Sequence, residues 1–181
     1  PIDCVLELVT RHDIQPEQVD SIVCTVLSGG RSLVADPIED KQRPTNTVDA
    51  QFSMPFGAAV AVVKRTAGLD AFAQDVVDDR AVRALLPKIT CNSLDEIDAA
   101  APQRWPARVI MTLTDGRELR HDIEDPRGSE SKPLDWDALA AKFTELTAPI
   151  LAESRQAEII AALSTLETAS SVRPLGLLLR A

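Results

Sequence analysis

The chain has 181 residues, 45% hydrophobic and 26% charged, which are values of an ordinary globular domain and exclude intrinsic disorder. A net charge of −9 excludes nucleic acid and anionic membrane surfaces as partners, since both need lysine and arginine to meet phosphate. No apolar run approaches the roughly 18 residues of a membrane span and the opening residues do not read as a leader, so a cytoplasmic protein is expected.

Cys4, Cys24 and Cys91 are odd in number and lack CxxC spacing, so they read as reduced, buried thiols. Only His12 and His121 could join them, and no metal site is expected. The chain opens inside a helical pattern: Ile2, Val5, Leu6 and Val9 form an apolar stripe over residues 2–11 with no cap before it. That beginning leads us to expect a piece of something longer. After a turn at Pro16, residues 19–27 alternate and predict a strand, with Ile22, Cys24 and Val26 on one face. Residues 28–32, SGGRS, lack the GK[ST] ending of a phosphate loop and read as a plain loop. Residues 33–44 are polar and proline-marked, a long loop.

The stretch PTNTVDAQFSMPFGAAVAVVKRTAG, residues 44–68, predicts the central helix. Asn46 or Thr47 caps it and Asp49 charges its first turn. Phe52, Phe56, Ala59, Val60 and Val63 recur at helical spacing, and Gly68 marks its end. Pro55 stands inside this pattern, where a mid-helix proline costs about 3 kcal/mol and predicts a kink or break over residues 53–56. Lys64 and Arg65 suit either the negative helix end or a polycarboxylate.

Two short helical pieces follow Gly68, the second over residues 78–86, then a strand over residues 88–94 and a loop to residue 106. ARVIMTLTDGRELRHDIE predicts a β-hairpin with a type I′ turn at Asp115-Gly116, with His121 at the surface or edge of its return strand. Asp135 caps a helix carrying Leu139, Phe143 and Leu146, which Pro149 interrupts, and a last helix spans residues 154–168. The apolar tail, with Leu175 to Leu179, is expected to pack on a partner surface. The order of elements disfavours a doubly wound sheet and predicts an α+β fold: a small mainly antiparallel sheet with packed helices, then C-terminal helices. The division expected is residues 1–133 and 134–181. No HExxH, GxSxG or local Cys/His/Asp set is present, so the residues alone offer no self-sufficient active site.

Several motifs in series resemble the C-terminal half of MmgE/PrpD proteins, a family that includes 2-methylcitrate dehydratase, cis-aconitate decarboxylase and an iminodisuccinate epimerase. Pro1-Ile2-Asp3, IQPEQVDSIVCTV, PTNTVDAQFSMPFGAAVAVV, DDRAVRALLPKI, PARVIMTLTDGRE, DPRGS and PLDWDALAAKF occur in the family's order. The resemblance implies a lid-type domain of a lyase or isomerase acting on a small polycarboxylate, without metal or organic cofactor, in a homodimer. It implies an N-terminal helical domain that carries acid/base residues and on which the helices of residues 134–181 pack. The family's "HS..Y" pattern falls on Phe52, Ser53 and Phe56, which makes Ser53 and Phe56 candidate cleft residues, with Gln51 and Ser53 binding substrate. The resemblance implies a 2-methylcitrate dehydratase-like activity, but a phenyl ring cannot exchange a proton, so Phe56 speaks against the dehydratase and decarboxylase members and leaves an epimerase-type member as the alternative. A non-catalytic dimerisation or interaction domain is the other reading. On either one, the 181-residue chain by itself is expected to be inactive.

Overall fold

The structure, a computed structural model, describes residues 1–180. It divides into two units, Pro1–Lys132 and Pro133–Ala181.

The first unit begins with α1 (Ile2–His12), whose Cys4, Val5, Leu8 and Val9 are buried on one face. After β1 (Val19–Thr25) come two single-turn helices, α2 (Arg31–Val34) and α3 (Ile38–Lys41), then α4 (Thr47–Gln51) and α5 (Met54–Lys64). Next are α6 (Gln74–Val77), α7 (Arg80–Leu85), β2 (Ile89–Asn92), α8 (Asp95–Asp98), β3 (Ala107–Leu113) and β4 (Glu118–Ile123). The strands form one sheet in the order β2-β1-β3-β4, with β1 and β2 parallel and the other two pairings antiparallel. The expected α+β fold with a small mainly antiparallel sheet is the observed one.

Strand register sorts the side chains between two faces. Ile22 pairs with Ile89 and Met111, and Cys24 with Cys91 and Val109, so these residues share the face that α1 and α5 cover. α1 packs against β4 and α5, and α5 packs against β2, β1 and α7. The core lies between these helices and the sheet.

The central helix is broken as expected, but just before the expected place, so that Pro55 starts a helix instead of interrupting one. It is two helices, broken at Phe52 and Ser53, and Pro55 sits in the first turn of α5 rather than in mid-helix. A first-turn proline forfeits no hydrogen bond, so the cost assigned to Pro55 does not arise. α5 has no apolar stripe, because every residue from Pro55 to Val62 is buried. A helix apolar all round lies inside the protein. Gly57 permits this closeness, since a Cβ there would stand 2.7 Å from the Ile2 Cδ1. Helix α5 ends at Arg65, in the left-handed region at φ 54, and not at Gly68.

Residues 28–44 are not the long loop expected. Arg31 holds Asp36 through two hydrogen bonds of 2.7 and 2.8 Å, and Gln42 Nε2 donates to the Ile89 carbonyl at 2.8 Å. The hairpin turn is also of another type. Gly116 alone in it has positive φ, at 88°, its amide donates to Leu113 and the Leu113 amide donates to Arg117. That is a three-residue turn with a glycine bulge, not type I′, which needs Asp115 left-handed as well.

The second unit holds α9 (Trp136–Thr147), α10 (Glu153–Ser164) and α11 (Arg173–Leu178). Asp135 accepts from the Ala138 amide and starts α9 as expected. α10 packs on both neighbours, and Gln156 donates to the Thr144 carbonyl and the Thr147 hydroxyl of α9. α9 buries no residue; Leu139 and Leu146 on its expected apolar face are exposed, as is Trp136.

Candidate functional site

The break between α4 and α5 opens onto a cleft of about 350 Å³ lined by Asp40, Lys41, Arg43, Val48, Asp49 and Phe52. Each wall is fixed by a hydrogen bond that the local sequence supplies. Asn46 caps α4 by accepting from the Asp49 amide at 3.0 Å. Asp49 in turn accepts from the Thr45 hydroxyl at 2.7 Å and from Asn46 Nδ2 at 2.9 Å. Those bonds, the Thr45 hydroxyl foremost, hold the Asp49 carboxyl below its ordinary range. Lys41 Nζ donates to the Leu33 carbonyl at 2.6 Å. The Arg43 guanidinium is exposed and has no hydrogen bond or ion pair to any described residue. Val48 and Phe52, one helical turn apart, add an exposed apolar rim.

Chemically, the cleft offers one uncommitted guanidinium, one ammonium held by a carbonyl, the acidic side chain of Asp40, and an Asp49 carboxylate already satisfied by its own turn. Of these, the two cations of Lys41 and Arg43 are the groups chemically able to meet a carboxylate. The cleft holds no histidine, cysteine or tyrosine to move a proton near neutral pH.

The sequence-derived candidates stand around this cleft in different ways. Ser53 is 4% exposed; its hydroxyl donates to the Lys41 carbonyl at 2.5 Å and accepts from the Phe56 amide at 3.0 Å. It caps α5 and ties the cleft floor to α3. Gln51 is exposed on α4 beside the lining residues. Phe56 is fully buried in the core, its ring centroid 5.7 Å from that of Phe72, and it does not line the cleft. Lys64 and Arg65 lie at the far end of α5, about 16 Å along an 11-residue helix. There Lys64 pairs with Asp79 at 2.6 Å and Arg65 with Asp13 at 2.7 Å, so both are structural. Asp40, Lys41, Arg43, Val48 and Asp49 were not singled out as ligand-facing from sequence. The length of the apparent loop over residues 33–44 was the one signal at Asp40, Lys41 and Arg43, and Asp49 was read only as the first-turn charge of the helix.

A larger open hollow of about 580 Å³ is lined by α8 and the paired ends of β3 and β4, around Ile97, Arg108 and Asp122. Its arginines are committed: Arg104 to Glu124, Arg108 to Glu96 and Asp122, and Arg120 to Asp122. It has no charge to spare for a ligand. Among the described residues, no group of three or more His, Cys, Asp or Glu side chains is placed to hold a metal ion, and no helix is long and apolar enough to cross a membrane.

Residues 1–168 match the family model described as the MmgE/PrpD C-terminal domain. The chain belongs to the MmgE/PrpD family. No curated protein sequence matches it significantly. The matched span of this MmgE/PrpD domain takes in the whole sheet, the cleft at the α4–α5 break, and helices α9 and α10.

Proposed function

We propose that this chain is the lid-type C-terminal domain of a cofactor-independent MmgE/PrpD lyase or isomerase acting on a small polycarboxylate. The observation that carries the reading is the cleft at the α4–α5 break, where Arg43 has no partner among the described residues and Lys41 stands beside it. A guanidinium grips a carboxylate bidentately. Paired with an ammonium, it also stabilises the negative charge that develops when a proton leaves the neighbouring carbon. Gln51 at the rim reaches for a second polar group of the substrate, and Ser53 fixes the backbone that presents Lys41. The proton itself is moved by groups outside this cleft, on the family's N-terminal helical domain, which also receives the helices of the second unit. The chain alone is therefore inactive, and the working protein is a homodimer.

An epimerase-type member fits this reading as well, since Phe56 has no proton to give and lies in the core and not in the cleft. The exposed Trp136, Leu139, Ile150, Leu177 and Leu179 favour a second reading, a non-catalytic interaction domain.

The test is turnover of 2-methylcitrate, citrate, cis-aconitate and iminodisuccinate by the protein carrying both domains, with this chain alone as control. Arg43→Gln in the two-domain protein should raise KM at least tenfold for the substrate that is turned over. An unchanged KM removes the cleft from the active site, and turnover by this chain alone overturns the division of labour.

A further inference from the structure

β4 is an outer strand of the sheet, with β3 as its one neighbour. Leu113 and Arg117 close the hairpin as a hydrogen-bonded pair, and the register runs from there to Ala107 opposite Ile123. By the alternation of antiparallel ladders, the backbone groups of Leu119, His121 and Ile123 face β3, while those of Glu118, Arg120 and Asp122 face outward. No described residue bonds to these outward groups. An open edge of this kind pairs with another strand unless something blocks it.

We propose that β4 is a homotypic docking edge: two copies of this chain pair antiparallel through β4 about a two-fold axis at His121, joining two four-stranded sheets into one. This inference deepens the homodimer of the proposed function by naming its seat, but it rests on strand register and charge, not on the catalytic reading. The charges on β4 select the register. With the axis at His121, each Arg120 faces Asp122 of the partner subunit, and each Leu119 meets Ile123 of the partner subunit on the other face. With the axis at Arg120 or at Asp122, like charges meet head on. An axis at Leu119 runs the turn of one copy past Asp122 of the partner subunit and leaves fewer residues paired. Glu118 falls opposite Glu124 of the partner subunit, whose charge Arg104 already meets within its own copy. Arg120 and Asp122 already pair within one copy at 2.6 Å, but they are 52% and 40% exposed, so pairing across the axis exchanges that bond for an equivalent one to the partner subunit.

The axis makes position 121 a non-hydrogen-bonded pair with itself, where Cα atoms stand about 4.5 Å apart, within the range a disulfide spans. The experiment is oxidative cross-linking of the chain with His121→Cys, beside Glu118→Cys and the unsubstituted chain as controls. His121→Cys should give a linked dimer on a non-reducing gel, and the two controls none, since the two 118 positions lie six residues out of register. Arg120→Pro, which removes only an outward amide and is tolerated on an edge, should abolish the His121→Cys product. A monomeric His121→Cys chain overturns the proposal, as does equal linking of Glu118→Cys or linking that survives Arg120→Pro. If Arg120→Pro fails to fold by circular dichroism, the comparison of positions 121 and 118 decides. If the unsubstituted chain has twice its 19.6 kDa mass by light scattering while His121→Cys does not link, the homodimer stands and β4 is not its seat.

Discussion

The Ser53 hydroxyl accepts from the Phe56 amide and donates to the Lys41 carbonyl, so one side chain both starts α5 and fixes the end of α3. Loss of an N-cap costs about 1–2 kcal/mol, and this one takes a part-buried bond to the Lys41 carbonyl with it. Ser53→Ala should therefore lower stability by about 2 kcal/mol in urea unfolding, and Ser53→Thr should recover most of it. An unchanged midpoint for the alanine variant would show that the cap is idle. From sequence Ser53 reads as a candidate cleft residue; that its hydroxyl serves the backbone, and in which direction, was not legible. Read in mid-helix it points back at the preceding turn; once the helix breaks before Met54 it points forward into α5. Phe56 escaped for a related reason. In a helix apolar on every side, sequence pattern cannot tell the turn that faces a cleft from the turn that faces Phe72.

α1 and α5 both end in a left-handed residue, Asp13 at φ 48 and Arg65 at φ 54, and Arg65 joins the two ends. Its guanidinium reaches Asp13 at 2.7 Å and the carbonyls of Ile14 and Val9 at 3.1 and 3.4 Å, placing positive charge at the negative end of α1. Arg65→Ala loses those bonds and keeps the strained φ; Arg65→Gly loses the bonds but relieves the φ. The glycine variant should be the more stable of the two by about 1 kcal/mol in thermal unfolding. Equal stability would mean that φ is not strained there. At this scale the sequence was legible wherever an element exceeded one turn or alternated cleanly, as in α1, β1, β3, β4 and α9. It failed over residues 28–44, because single-turn helices such as α2 and α3 are too short for periodicity to register and are held by Arg31, Lys41 and Gln42 instead.

Across the whole molecule, charge sets the pH range of stability. Asp36, Asp49, Asp78, Asp79 and Asp98 all titrate below their ordinary 3.8, held there first by Arg31, Thr45, Gln74, Lys64 and the Ser28 amide respectively. A depressed carboxylate stabilises the fold above its unfolded pKa, and that contribution is lost as pH falls through the folded value. Thiols act at the other end. Burial pushes Cys91 up to about 11 and Cys24 higher still, so above 9.0 the unfolded chain ionises while the folded chain does not. Melting temperature should be flat from about pH 5 to 8, fall below about pH 4, and fall again between about pH 9 and 11. A melting temperature that holds at pH 3 would remove the carboxylate contribution. The α+β class and the mainly antiparallel sheet were legible from the order of elements. The parallel β1–β2 pairing was not, because nothing local marks two strands so far apart in the chain as neighbours.

That pairing also bears on how the protein comes into being. β1 is made before both of its sheet neighbours, so Ile22 waits for Ile89 on one side and Met111 on the other. On the ribosome, β1 therefore emerges with both edges bare until most of the first unit has been synthesised. Contacts of such long sequence separation slow folding and lengthen the exposure of apolar strands. The nascent chain should lean on a holding chaperone through that interval, and the late β3–β4 hairpin, which needs only itself, provides the template on which β1 finally settles.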